Sequence, residues 1–311
     1  MDTSFFVPTI PQAVSNCNEI RRGVLLFQSY YGIMIGIFAL GVIRMWSFGD
    51  LIWNFFTHKD FLPPASMIPG TLFSPLHWVV VACLVALLMG LCMWVRKVSE
   101  ERLKRIYTVL WACMVVLEIG KIVWEACAGK VVRFEWTGVL PLYPCSVFMY
   151  VMPFAIWGSG YVRKAVCGYV CTLALLGGAV NFVYPANVLN NYSAISFAGG
   201  QTLFYHGALV FCAVSMLISG FHSFRGVRNW WELLLPMVPM LPVSLVAILV
   251  DFSAIRADYM FFRLESFFFA PIGAATPDWL GVVIVYLCYM VIHGLPYLPS
   301  YLAGRRSRCA G

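Results

Sequence analysis

Six stretches of this chain, residues 24–43, 76–95, 165–185, 201–219, 233–250 and 279–300, are long and almost free of charge. Each approximates the ~20 apolar residues that cross a ~30 Å hydrocarbon layer. Inside lipid no water is at hand for the backbone, so each segment must satisfy its own N–H and C=O groups, as a helix does. Two further stretches, 106–127 and 139–157, are as apolar overall but carry charges or prolines. The expectation is an all-α, polytopic membrane helix bundle of about eight transmembrane helices. Composition agrees: 61% of residues are hydrophobic and 11% charged, against roughly 45–50% and 25% in an ordinary soluble domain.

The net charge of +7 does not point to nucleic acid, because the basic residues sit in short loops between spans. Their distribution reads orientation instead. With eight spans, 14 Lys and Arg fall on the side of the N-terminus and 6 on the other, with Lys121 inside a span. Both ends are therefore expected in the cytoplasm. The reading divides the chain into a cytoplasmic segment 1–23, one transmembrane domain 24–300 and a basic cytoplasmic tail 301–311. No basic region or small-residue cleavage site precedes the first span, so no removable signal peptide is expected. The loops 44–75 and 251–278 both fall outside. The second holds "DYMFFRLESFFF", whose mixture of charges and aromatics suits a segment at the headgroup level.

That orientation gives the polar residues a depth. His77, Cys145, Asn181, His206 and Asp251 all fall in the extracytoplasmic half, and only His293 in the inner half. In the third span Glu118, Lys121 and Glu125 are three and four residues apart, so they fall within roughly 60° on one helix face. They are expected to neutralise one another and to face the bundle interior, since a charge at the bilayer centre costs at least ~2.5–3.5 kcal/mol. His77 opens the second span at the outer face, where water is one partner open to it. Gly207 follows His206 and is expected to leave space beside the imidazole.

The eleven cysteines show no CxxC pair and no metal-type spacing, so no metal and no cofactor are expected, and most cysteines read as packing residues. Cys145 differs by its setting, "LPLYPCS" (140–146). Proline suits the first helical position, so Pro144 is expected to open the fourth helix and set the Cys145 sulfur at its positive end, a place that activates a thiol. His206, at a neighbouring depth, offers a base. On residue types alone, a packing cysteine and a reactive one both remain open. Pro236, Pro239 and Pro242 are expected to bend or loosen the seventh span.

The ordered segments "FSPLHW" (73–78), "LEIGK" (117–121), "LPLYPCS" (140–146), "FYHG" (204–207) and "DYMF" (258–261) resemble the YwaF family of integral membrane proteins over about residues 70–300. An animal relative of that family is an endoplasmic-reticulum acyltransferase acting on ether phospholipids. The resemblance implies that Cys145 carries the acyl group and that His206 is the family's membrane histidine. His77, Glu118 and Lys121 match further polar positions. Tyr143 departs from the histidine common before the cysteine, and Asp258 from the asparagine common there.

Taken together, the expected function is lipid acyl transfer through a cysteine thioester. Cys145 is the nucleophile and His206 the base in both half-reactions. Free backbone N–H groups at the start of the fourth helix steady the oxyanion, and His77, Glu118, Lys121, Asn181 and Asp251 support the site. Membrane phospholipids or acyl chains are the partners, in a bacterial cytoplasmic membrane or otherwise the endoplasmic reticulum. The alternative is an ion- or proton-coupled transporter, or a membrane protein binding a small ligand, that uses the charged third span. No GxSxG, HExxH or phosphate-cradling glycine loop points to another enzyme class.

Overall fold

Ser74 and Pro75 set where the first long helix begins. The His77 N–H donates to the Ser74 hydroxyl at 3.3 Å, and Pro75 takes the first helical position, where a missing N–H costs nothing. The computed structural model describes residues 47–130, 140–253, 257–265 and 276–309. Helices follow in order: a short α1 (Phe48–Trp53), then α2 (Pro75–Val95), α3 (Glu100–Ala128) and α4 (Val147–Trp157). α5 covers 160–183 with a π-helical turn, Val170–Ala174, at its centre. A single α-helical turn, Ala186–Leu189, precedes α6 (Phe197–Ile218), and α7 (Leu241–Asp251), α8 (Asp278–Gly294) and α9 (Leu298–Cys309) follow.

Five helical segments among the described residues are long and apolar enough to cross a membrane: Pro75–Val95, Glu100–Ala128, Gly160–Leu189, Phe197–Ile218 and Asp278–Arg305. The expected eight is not reached. The stretch 24–43 lies outside the described residues, and so do Arg21, Arg22, Arg44, Arg133 and Arg256. The fourth and seventh stretches form shorter helices, and prolines explain both. Pro141 and Pro144 lack N–H groups and push their predecessors out of the helical region, so residues 140–146 run irregularly and α4 begins only at Val147. Pro236 and Pro239 fall in a 3-10 segment, Leu235–Met240, that leads into α7, with Pro242 in the first turn of α7. That is the loosening expected of them.

α5 and α6 are the buried pair, while α2, α3 and α8 keep most of their surface outward. The π-helical turn has a local cause in Thr172. Its hydroxyl donates to the Gly168 carbonyl at 2.7 Å, competing with the backbone for that acceptor. Gly168 itself lets other chain segments come close, since a Cβ there would stand 2.5 Å from the Tyr297 hydroxyl and 2.8 Å from Pro236.

The two ends of the bundle differ. At one end α4 and α6 begin, α5 and α7 finish, and residues 257–265 fold inward. Tyr259, Met260, Phe262 and Leu264 are fully buried there, so this part of the aromatic loop is packed and does not lie at a headgroup surface as expected. Gly281 permits it, because a Cβ at that position would sit 2.4 Å from the Phe262 carbonyl. Residues 266–269 of the aromatic run lie outside the described residues. The other end is basic: Lys164 pairs with Glu232, and Glu100 takes Arg163 at 2.7 Å and Lys104 at 3.3 Å.

Candidate active site

Two adjacent glycines on α5 organise the middle of the Cys145 end. An added Cβ at Gly177 would stand 4.0 Å from the Cys145 Cβ, and one at Gly178 would stand 3.0 Å from the His206 carbonyl and 2.9 Å from Val210. One helical turn of α5 therefore packs against the Cys145 segment and against the turn of α6 that carries His206. Tyr205 closes the third side: its hydroxyl donates to the Cys145 carbonyl at 3.2 Å, and its ring lies 5.4 Å from that of His206. Tyr169 of α5 donates to the Pro144 carbonyl. Two tyrosine hydroxyls thus hold successive carbonyls of the irregular segment and fix where the thiol can be.

Cys145 is half-buried and lies in a turn two residues before α4, not within its first turn as expected. The Ser146 N–H donates to the Tyr143 carbonyl at 2.9 Å and the Val147 N–H to the same oxygen at 3.3 Å; Phe148 N–H reaches the Cys145 carbonyl at 3.3 Å and Met149 N–H the Ser146 carbonyl at 3.0 Å. The first amides of α4 are therefore engaged, and the expected row of free N–H groups is absent there. The Cys145 N–H and the Ser146 hydroxyl are the donors next in sequence to the sulfur.

His206 is buried, and its Nδ1 lies 2.8 Å from the Thr202 carbonyl. A carbonyl only accepts, so Nδ1 carries the proton and Nε2 keeps its lone pair. His77 contrasts with it. Its Nδ1 accepts from the Phe73 N–H at 3.3 Å and its Nε2 donates to the Phe182 carbonyl at 3.1 Å, in a fully buried position. Both nitrogens are committed and the ring does not face water, so His77 is a clasp between the start of α2 and the end of α5. Gly207 does not open space beside His206 either: a Cβ there would meet Leu84 of α2 at 3.3 Å, so the glycine serves helix approach.

The description of the TMEM164 family, a transmembrane family, matches residues 72–301. The chain belongs to the TMEM164 family. The YwaF name drawn from the motifs is not what this match shows. No curated protein and no solved structure matches the chain. In this TMEM164-family chain all the motif residues, from His77 to Tyr259, fall within the matched region.

The charged face of α3 does not pair internally. Glu118 accepts from Gln201 Nε2 at 2.7 Å, Lys121 donates to the Thr202 hydroxyl at 3.5 Å, and Glu125 pairs with Lys59 at 2.9 Å, with His58 Nε2 at 3.4 Å. The expected ladder gives way because α6 and the residue 58–60 turn offer each charge a partner of its own. At the same rim the Lys130 N–H donates to Asp60 at 3.0 Å and holds its carboxyl below the ordinary value. Thr202 is the junction that residue types did not reveal. Its hydroxyl meets Lys121 and Gln201, and its carbonyl orients His206. The available signal was spacing, since Gln201, Thr202, Tyr205 and His206 lie at one, four and five positions along a single helix.

Asn181 stands one turn beyond Gly177 on nearly the same face of α5, and its Oδ1 is buried without a hydrogen-bond partner. Asp251 ends α7 at 1% exposure; its Oδ1 accepts the Tyr259 N–H at 2.8 Å and its Oδ2 has no partner. Both supporting residues thus carry an oxygen that the protein does not satisfy.

Proposed function

We propose that this membrane protein transfers an acyl chain between lipids, with Cys145 as nucleophile and His206 as general base. The observation that carries the reading is the tautomer of His206, fixed by the Thr202 carbonyl, which leaves Nε2 as a base on the turn of α6 that shares α5 packing with Cys145. In the first half-reaction Nε2 takes the thiol proton, the sulfur bonds to the ester carbonyl carbon, and the carbon–oxygen bond breaks. The proton goes to the departing lipid oxygen. In the second, a lipid hydroxyl attacks the thioester and Cys145 leaves as the thiol. The Cys145 amide and the Ser146 hydroxyl are the donors that fit the oxyanion.

The same reading has eight spans, both chain ends in the cytoplasm, and the Cys145 end opposite them, which is what the 14 to 6 distribution of basic residues supports. Membrane phospholipids are the partners, and the membrane is a bacterial cytoplasmic membrane or the endoplasmic reticulum. The transporter reading draws on Glu118, Lys121 and Glu125. Each of these is held by a different neighbour, an arrangement that suits positioning of α6 better than a continuous ion path. Lipid profiling separates the two. Cells with Cys145→Ala should lose a subset of acyl-exchanged phospholipids while Lys121→Met retains it; unchanged lipids in the cysteine variant, with function lost in the charge variant, favour transport.

A further inference from the structure

The buried carboxylate at the end of α7 has one oxygen without a partner in the protein. Asp251 is 1% exposed, one of its oxygens is held at 2.8 Å by the Tyr259 N–H, and the other has no hydrogen-bond partner. A buried acceptor without a donor is costly, and in native structures such an atom marks strain, chemistry or an absent ligand. Its surroundings connect it to the thiol. The Tyr143 ring packs 5.0 Å from that of Tyr259, whose N–H holds Asp251, and 6.1 Å from that of Phe261. Tyr143 is two residues before Cys145.

The segment over Asp251 shows a second, independent sign. Met260, Phe261 and Leu264 adopt positive φ of 54°, 63° and 56°, a region costly for residues with a Cβ, and such strain collects at ligand clamps. Tyr289 of α8 holds it by donating to the Met260 carbonyl at 2.8 Å. Asp251 holds this segment on one side and Tyr289 on the other, and its Tyr259 and Phe261 rings pack against Tyr143 of the Cys145 segment.

We propose that Asp251 binds the acyl acceptor: its unpaired Oδ2 takes the hydrogen bond of the lipid hydroxyl that attacks the Cys145 thioester. This rests on the acyl-transfer reading and assigns the second half-reaction its own proton acceptor. The hydroxyl oxygen bonds to the acyl carbon and the carbon–sulfur bond breaks with its electron pair on sulfur. The hydroxyl proton passes by way of Asp251 to that sulfur, which restores the thiol. The ligand class is a lysophospholipid with a free glycerol hydroxyl.

Binding tests this apart from catalysis, with the full chain in detergent and Cys145→Ala so that no acyl transfer intervenes. The probes are a 1-acyl lysophospholipid and its 2-O-methyl analogue, which has no proton to donate. The hydroxyl lipid should bind roughly tenfold tighter, the scale of one hydrogen bond to a charged group. Asp251→Asn should erase that preference, because the amide oxygen keeps Tyr259 and turns an NH2 toward the site, whereas Asp258→Asn should retain it. Equal affinity for the two lipids, or the same preference with and without the Asp251 carboxylate, overturns the proposal. A second measurement needs no Asp251 variant: a lysolipid with a diazirine beside the hydroxyl should label peptides holding Asp251 or Tyr259–Phe261. Label confined to the outward faces of α2 and α3 overturns the proposal as well. Neither readout needs a thioester, so failure here and failure of the acyl-carrier reading give different results.

Discussion

The Cys145 end and the basic end of this bundle meet the same problem, polar groups among apolar helices, with different groups left over: oxygens at the first, nitrogens at the second. At the basic end partners are supplied within the protein: Lys164 with Glu232, Arg163 and Lys104 with Glu100, Tyr107 with Ser215 at 2.8 Å and His222 with Tyr297 at 2.7 Å. Two nitrogens of the inner half, Arg163 Nε and His293 Nε2, have no hydrogen-bond partner, although the Arg163 guanidinium lies 4.0 Å over the Phe221 ring and His293 Nδ1 lies 2.6 Å from the Thr172 hydroxyl. At the Cys145 end oxygens of Asn181 and Asp251 are buried unpaired, and four residues with a Cβ, Phe73, Met260, Phe261 and Leu264, hold left-handed conformations. Satisfied pairs fix a structure, and unsatisfied ones hold capacity for a ligand.

The largest contrast is expected between two histidines of the same end. His206→Ala should slow loading of an acyl group by ~10²–10⁴-fold, the usual contribution of a positioned base, with little change in thermal stability. His77→Ala should do the reverse and lower stability by about 1–3 kcal/mol, since it leaves the buried Phe182 carbonyl and the partly buried Phe73 amide unpaired. Activity assays beside melting curves check the pair, and equal effects of both variants on both readouts would break the division.

At the basic end Glu232→Gln should cost about 1–3 kcal/mol, by removing the buried partner of Lys164 and weakening the bonds from the Arg228 and Asn229 N–H groups at 3.3 Å. Loading of Cys145 should be unchanged at a temperature where the variant is folded. The same residue predicts a pH dependence. Burial pushes the Glu232 carboxyl up, but Lys164 and the two backbone donors outweigh it and hold the group below its ordinary value. A depressed carboxylate stabilises the fold above its unfolded pKa and loses that contribution as pH falls through the folded one. Wild type should therefore lose stability on acidification below the ordinary glutamate range by more than Glu232→Gln does, as read by melting temperature against pH.

How much of this was legible follows from particular residues. Long uncharged runs announced the helices, because length and charge are properties of a sequence. Pro144 reads as the first residue of the fourth helix, yet residues 140–146 run irregularly, and Tyr169 and Tyr205 hold their carbonyls through contacts that join residues 25 and 60 positions apart, which spacing does not show. The α3 charges misled for the same reason. Spacing shows which residues share a face, and the partners across it come from α6 and the 58–60 turn. A double-mutant cycle gives the smallest expected effect. Lys121→Met and Glu118→Gln should couple by about 0.5 kcal/mol, the low end for members of one hydrogen-bond network, because they meet only through Gln201 and Thr202. A large coupling would restore the internal ladder.

The central claim is that the sulfur of Cys145 carries an acyl group. Purified protein given a phospholipid with a labelled acyl chain should retain label that neutral hydroxylamine releases. Cys145→Ser should abolish that signal, because an oxygen ester resists the reagent and serine is a far weaker nucleophile without strong base assistance. Cys167→Ala and Cys171→Ala, both buried on α5, should keep it. Label that never accumulates on wild type, or that persists in Cys145→Ser, contradicts the account.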